Sequence, residues 1–306
     1  MTKVQTPHAL SARYRIRKLT LADLSSVKAL LVQSKTSPSS FCPTVDSGNQ
    51  TVIAYQQYHA IDYLVRHAIK SNMSFGVFDT EYKYRYSSSI KTGGKLHWDE
   101  NDIRASSKQL LHQIDFPLVS IALSHDAADP PDENKVQWYL DIRPGYKQAC
   151  AHLESLIPAL ARDGYRYALL GKVLMRKGSV TRGDYEGRGI MKGLALWLVG
   201  EARRCGYEVI EIPLSSAAVR RVWENLPPPC KVDVMAEYMI EDLEVCDESG
   251  KKGRPFEGIQ TEIFRVMKLW REITKASQLW MNSRGASMVC ITSEVGSGRL
   301  PHLRNV

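Results

Sequence analysis

Residues 167–212, YALLGKVLMRKGSVTRGDYEGRGIMKGLALWLVGEARRCGYEVIEI, decide the fold of this chain. The apolar run Tyr167 to Met175 has the length of a buried strand, and Lys177-Gly178 is expected to end it. The loop Gly178 to Gly189 carries Gly183, Gly187 and Gly189, with Arg182 and Arg188 between them. From Ile190 the apolar residues recur at helical spacing (Ile190, Leu194, Leu198), and Gly206 marks the stop. The β-rich run Tyr207 to Ile212 follows. The order is strand, glycine loop, helix, strand.

That order favours an anion at the loop. Glycine lets the backbone take φ > 0 and approach a ligand, so successive amides can converge. The helix that starts there adds unpaired N–H groups and the positive end of its dipole. Arg166, Lys172, Arg176, Lys177, Arg182, Arg188 and Lys192 outweigh Asp163, Asp184 and Glu186 nearby. A diphosphate suits such a loop.

The run Glu186-Gly187-Arg188-Gly189-Ile190-Met191 resembles the acyl-CoA motif of the GNAT superfamily of N-acetyltransferases, written Q/R-x-x-G-x-G/A. Glu186 stands where that motif has Gln or Arg, and Met191 where it has Gly or Ala. The resemblance implies an α/β (α+β) architecture with a mixed, mostly antiparallel twisted sheet. That sheet would splay at the acyl-CoA site and be flanked by helices. It further implies that Leu174, Met175 and Arg176 offer backbone groups to pantetheine. Arg182, Gly187, Arg188, Gly189 and Ile190 would hold the pyrophosphate of acetyl-CoA or another acyl-CoA. The chain also resembles GNAT-like proteins of filamentous fungi, some tied to secondary metabolism.

Outward from this stretch, Tyr14 to Leu19 alternates like a strand, and Thr20 with Asp23 forms a capping pattern before a helix. One helix is expected over residues 52–70 and a strand over 74–79. A loop insertion or lid is expected over 81–115, with a hairpin turn at Gly93-Gly94. Phe116 to Ser124 reads as a strand and His125 to Asn134 as an acidic loop. A helix from Tyr146 to about Ala161 makes a second insertion, over about 126–166. After Ile212 come a helix to Leu226 and strands near 232–243 and 259–269. A GNAT-like domain over 13–270 would lie between an extension at 1–12 and a C-terminal extension at 271–306.

Amine acylation needs a base for the amine and a donor for the thioester carbonyl. The entering strand GKVLMRK has no carboxylate, so the candidates for base are His125, Asp126, Asp141, Glu208 and Glu211. Many GNAT enzymes carry a Tyr that protonates the leaving thiolate near the end of the helix after the splayed pair. Trp223 stands there, and indole N–H has no useful acidity; Tyr238 is the substitute candidate. By the same resemblance Phe41 and Tyr55 are candidate walls of the acceptor pocket.

A net charge of +8 on 306 residues fits an enzyme of a polyphosphate cofactor. It also permits nucleic-acid binding, but the charges form no basic stripe interleaved with aromatics, which makes that partner the weaker reading. Six scattered cysteines without C-x-x-C or ligand-spaced histidines argue against structural zinc and disulfides. They fit a reducing compartment, with cytoplasm the default. No apolar run approaches a membrane span and no secretory h-region opens the chain. The expected activity is an N-acyltransferase with a small-molecule amine acceptor, protein lysine being the next class. The alternative is a GNAT-fold protein with an altered motif, serving as a binding module or another enzyme.

Overall fold

The computed structural model describes residues 10–36, 50–142, 145–157, 171–214, 216–227, 230–246, 252–254, 256–258 and 262–269. The described residues all belong to one compact unit, and residues 271–306 lie outside them.

The described elements open with β1 (Tyr14–Lys18), α1 (Leu24–Gln33), α2 (Gln50–Ala60), α3 (Asp62–Lys70) and β2 (Phe75–Asp79). In β1 Tyr14 and Ile16 are buried and Arg15 between them faces solvent, the alternation seen in the sequence. Asp23 accepts from the Thr20 amide at 2.9 Å and from both Arg17 nitrogens, fixing the turn into α1. The single helix expected over 52–70 is two, interrupted at Ile61. The bond ladder nevertheless runs on, from the Ile61 amide to Gln57 and from the Val65 amide to Ile61.

The segment read as a lid has regular structure: α4 (Ser87–Thr92), β3 (Lys95–Leu96), α5 (Ser107–His112) and β4 (Ile114–Asp115). Gly93-Gly94 is no hairpin turn. Gly93 takes φ 72° as the left-handed cap of α4, and the Gly94 amide donates to the Ser89 carbonyl. The fully buried Asp115 carboxylate ties this segment down, accepting from the Tyr82 hydroxyl and the Arg85 and Tyr86 amides at 3.0 Å each. Asp115→Ala removes the acceptor of three part-buried donors and should cost about 2–3 kcal/mol. Urea unfolding reads that loss, and an unchanged midpoint would contradict it.

Then follow β5 (Leu118–Asp126), α6 (Glu133–Asp141), α7 (Tyr146–Leu156), β6 (Val173–Thr181), α8 (Ile190–Arg204) and β7 (Val209–Leu214). The chain continues through α9 (Ala217–Glu224), β8 (Lys231–Met239), the short pair β9 (Val245–Cys246) and β10 (Lys252–Gly253), and β11 (Glu262–Leu269). Residues 158–170, which include the expected start of the decisive strand, lie outside the described residues. Helix α6 opens with the Asp132 cap on the Asn134 amide. One reading needs correction: β6 runs on to Thr181, past Lys177-Gly178.

The main sheet has seven strands in the order β1-β2-β5-β6-β7-β11-β8. All neighbours are antiparallel except β6 and β7, which are parallel with α8 as their crossover. One face packs Leu174, Ile210 and Ile212 with α8 and with Trp223 of α9. The other packs Ile121 and Leu123 with α1 and α3. Helix α7 covers β8 through Ala149, Leu153 and Ala236.

Candidate functional site

The parallel pair is short. β6 and β7 match only as Val173–Val209, Leu174–Ile210 and Met175–Glu211, although β6 continues six residues further. On its other side β6 pairs Arg176 with Ser124 and Gly178 with Leu123, leaving Lys177 as an extra residue. Such a bulge bends its strand and sharpens the twist. It sits where β6 leaves β7. Beyond Met175 the two strands part, and their facing edges carry backbone groups that an extended ligand can pair with.

At the end of β6 a short turn, Gly183–Tyr185, leads into the glycines. Gly187 and Gly189 have φ 74° and 72°, a region side chains other than Asn and Asp rarely adopt. Both are exposed, and a Cβ on either would meet nothing within 4 Å. The amides of Gly187, Arg188 and Gly189 reach no backbone carbonyl among the described residues. Immediately after them the fifteen-residue α8 begins. Open space, amides without a backbone acceptor and a helix N-terminus are the features that anion-binding loops use. Neither unusual residue of the motif fills it. Glu186 is exposed, while Met191 turns toward β6 with its sulfur 3.7 Å from Arg176 Nη2.

A buried pillar holds the loop. The Tyr185 hydroxyl donates to Asp79 at 2.6 Å, and Arg13 grips the same carboxylate with two nitrogens at 2.8 and 2.6 Å. Burial opposes the Asp79 charge, yet Arg13, Tyr185 and the Glu81 amide bring its pKa down to about 2. Burial and that carboxylate push Tyr185 up to about 12. Arg182 and Arg188 each lie 4.6 Å from the Tyr185 ring.

Of the residues expected at the cofactor, Leu174, Met175 and Ile190 are buried; Leu174 and Ile190 belong to the sheet–helix core. The Met175–Glu211 pair is the last rung before the gap. Arg188 stays exposed at the loop, donating to the Asp184 carbonyl. Arg182 does not reach outward to a phosphate. Its guanidinium is buried and occupied by both Asp184 oxygens and the Phe116 carbonyl. Arg176, expected to contribute backbone, also sends its side chain inward. The residue is 1% exposed, and its guanidinium bonds Ser179 at 2.7 Å and stacks 5.1 Å from Trp223.

The catalytic candidates separate. His125 is buried against His67, and burial, then Lys177 and His67, push its pKa down to about 4, too low for a good base at neutral pH. Asp141 is exposed at the end of α6 and bonded to Gln137. Asp126 closes β5 and takes a bond from Tyr207, while Glu208 lies 3.9 Å from Lys172. The Tyr238 hydroxyl donates to the Ala149 carbonyl beneath α7, and burial raises its pKa, so it is a poor acid. Glu211 is the candidate at the apex of the gap, fully buried in register with Met175. Phe41 lies outside the described residues. Tyr55 is buried in α2 with its hydroxyl on the Asp99 carbonyl, edging a surface cavity with Trp138 and Glu100.

Sequence reasoning missed the Asp79–Tyr185 pillar, whose partners are 106 residues apart and carry no local signal. It missed the bulge as well, because Lys177-Gly178 reads as a strand end. The inward Arg176 did have a signal, since strand alternation puts it on the apolar face of Leu174.

No protein-family model matches the sequence, and a search of curated proteins returns no match. Solved structures do match. The C-terminal condensation domain of Ebony, in complex with β-alanyl-dopamine, aligns over 84% of this chain and 99% of its own at 14% identity, with a TM-score of 0.51. Arylalkylamine N-acetyltransferase 2 of Aedes aegypti aligns over 84% and 99% at 12% identity and TM-score 0.48. A Salmonella typhimurium protein solved with its cofactor acetyl-CoA aligns over 86% and 97% at 13% identity and TM-score 0.42. Sheet order, the parted parallel pair and the loop opening α8 are the arrangement the motif led us to expect: the chain has the GNAT fold.

Proposed function

We propose that this protein is an acyl-CoA-dependent N-acyltransferase acting on a small-molecule amine. The observation that supports it most is the parted β6–β7 pair ending at an open glycine loop on the N-terminus of α8. In this reading the amides from Gly187 onward hold the diphosphate of acetyl-CoA or a related ester. The β6 edge from Arg176 pairs with the pantetheine arm. The bound thioester supplies an activated acyl group. Glu211, at the apex, takes the proton of the attacking amine, directly or across a water. Scattered cysteines favour a reducing compartment such as the cytoplasm. No helix among the described residues is long and apolar enough to cross a membrane.

One observation favours a second reading, a GNAT-fold module that binds CoA without transfer. Trp223 is buried where a Tyr acid is usual, and Tyr238 is bonded away. Thiol release from acetyl-CoA, measured against arylalkylamines, polyamines and lysine peptides, separates the two. Turnover with a small amine, abolished in Glu211→Gln, is expected. Binding of acetyl-CoA with no thiol release from any amine would replace the transferase with the module.

A further inference from the structure

Arg176 Nη1 is buried and has no hydrogen-bond partner, and no carboxylate lies within ion-pair distance of this guanidinium among the described residues. Burial pushes its pKa down to about 9, so at neutral pH it stays charged. A buried charge without a counter-ion opposes folding. Arg182, six residues away and just as buried, shows the ordinary solution, a bidentate carboxylate. Arg176 is instead held by Ser179 and the Trp223 ring, which orient it without neutralising it. It sits on the first residue of β6 beyond the last rung with β7. An orphan donor on a fixed guanidinium, at the point where the strands open, is the half-site of a carboxylate.

We propose that Arg176 recognises a carboxylate carried by a substrate, so that the transferred acyl group is dicarboxylic or the acceptor is an amino acid. This rests on the acyltransferase reading and narrows its substrate class. In the first form the ester is of malonyl or succinyl length, its free carboxylate on Arg176 and its thioester toward the β6–β7 gap. In the second, the acceptor's carboxylate takes that place and leaves its amine at the thioester. The acyl transfer is unchanged in either: a C–N bond forms, the C–S bond breaks, and the amine's proton goes to the base while the thiolate leaves.

Binding by calorimetry tests both sources. One arm compares malonyl- and succinyl-CoA with propionyl- and butyryl-CoA. The other, with CoA present, compares β-alanine with propylamine and tyrosine with tyramine. A carboxylated member should bind at least about tenfold tighter than its neutral counterpart in one arm. That preference should vanish in both Arg176→Met and Arg176→Gln. The melting temperature of ligand-free Arg176→Met should equal or exceed that of the parent, since an uncompensated charge is gone. Equal binding within each pair, with esters still bound, overturns the carboxylate site and spares the transferase. A large drop in melting temperature for both variants assigns Arg176 to the core and also overturns it. No binding of any CoA ester overturns both readings.

Discussion

A Gly189→Asp protein should fold as well as its parent and lose its gain in stability from acetyl-CoA. Asp is among the few residues that tolerate the φ of 72° at this position, and nothing stands within 4 Å of the site. Its carboxylate would lie over the start of α8, where a negative charge suits the helix. It would also occupy the space a phosphate needs and repel one. At a ligand excess of 100 times Kd, acetyl-CoA should stabilise the parent by about 2.7 kcal/mol. The variant should show none of it, as read by thermal unfolding with and without ligand. Full stabilisation of the variant would move the phosphate site away from this loop.

The second large effect is at Asp79, outside the motif. Its side chain is buried and joins β2 to both Arg13 and Tyr185. Asp79→Asn removes the charge and leaves Arg13 and Tyr185 with a weaker acceptor, at a cost of about 2–3 kcal/mol at neutral pH. The sign with pH follows from the lowered pKa. The folded carboxylate titrates near 2 and the ordinary value is 3.8, so its contribution is complete above 3.8 and is lost as pH falls from 3.8 toward 2. Parent and variant stabilities should therefore differ most at neutral pH and converge in that acid window. Denaturant unfolding across the range measures this, and a constant gap down to pH 2 would show that Asp79 carries no such charge-dependent bond. Because Tyr185 anchors the loop, the variant should also bind acetyl-CoA more weakly.

These two positions show what a sequence displays and what it hides. The glycine loop, α8 and β7 were legible because their signals are local: positive-φ residues at a turn, then apolar residues at helical spacing, then a β-rich run. The Thr20–Asp23 turn was legible for the same reason. Where local pattern competes with tertiary packing it misled. Gly93-Gly94 looked like a hairpin because a left-handed helix cap uses the same residues. The site itself was half visible. Arg182 and Arg188 look alike in sequence, yet only the fold separates the buried partner of Asp184 from the exposed residue at the loop. Tyr238 looked available until α7 placed the Ala149 carbonyl against its hydroxyl. The bulge at Lys177, beside the point where β6 leaves β7, shows only in the pairing of β6 with β5.

The most direct test follows individual backbone amides of the isotope-labelled protein by NMR while CoA is added. If the loop grips the diphosphate and the β6 edge takes the pantetheine arm, the largest shifts will fall on Gly187, Arg188, Gly189, Ile190 and Arg176. Saturating CoA that leaves those five amides unmoved would contradict the assignment.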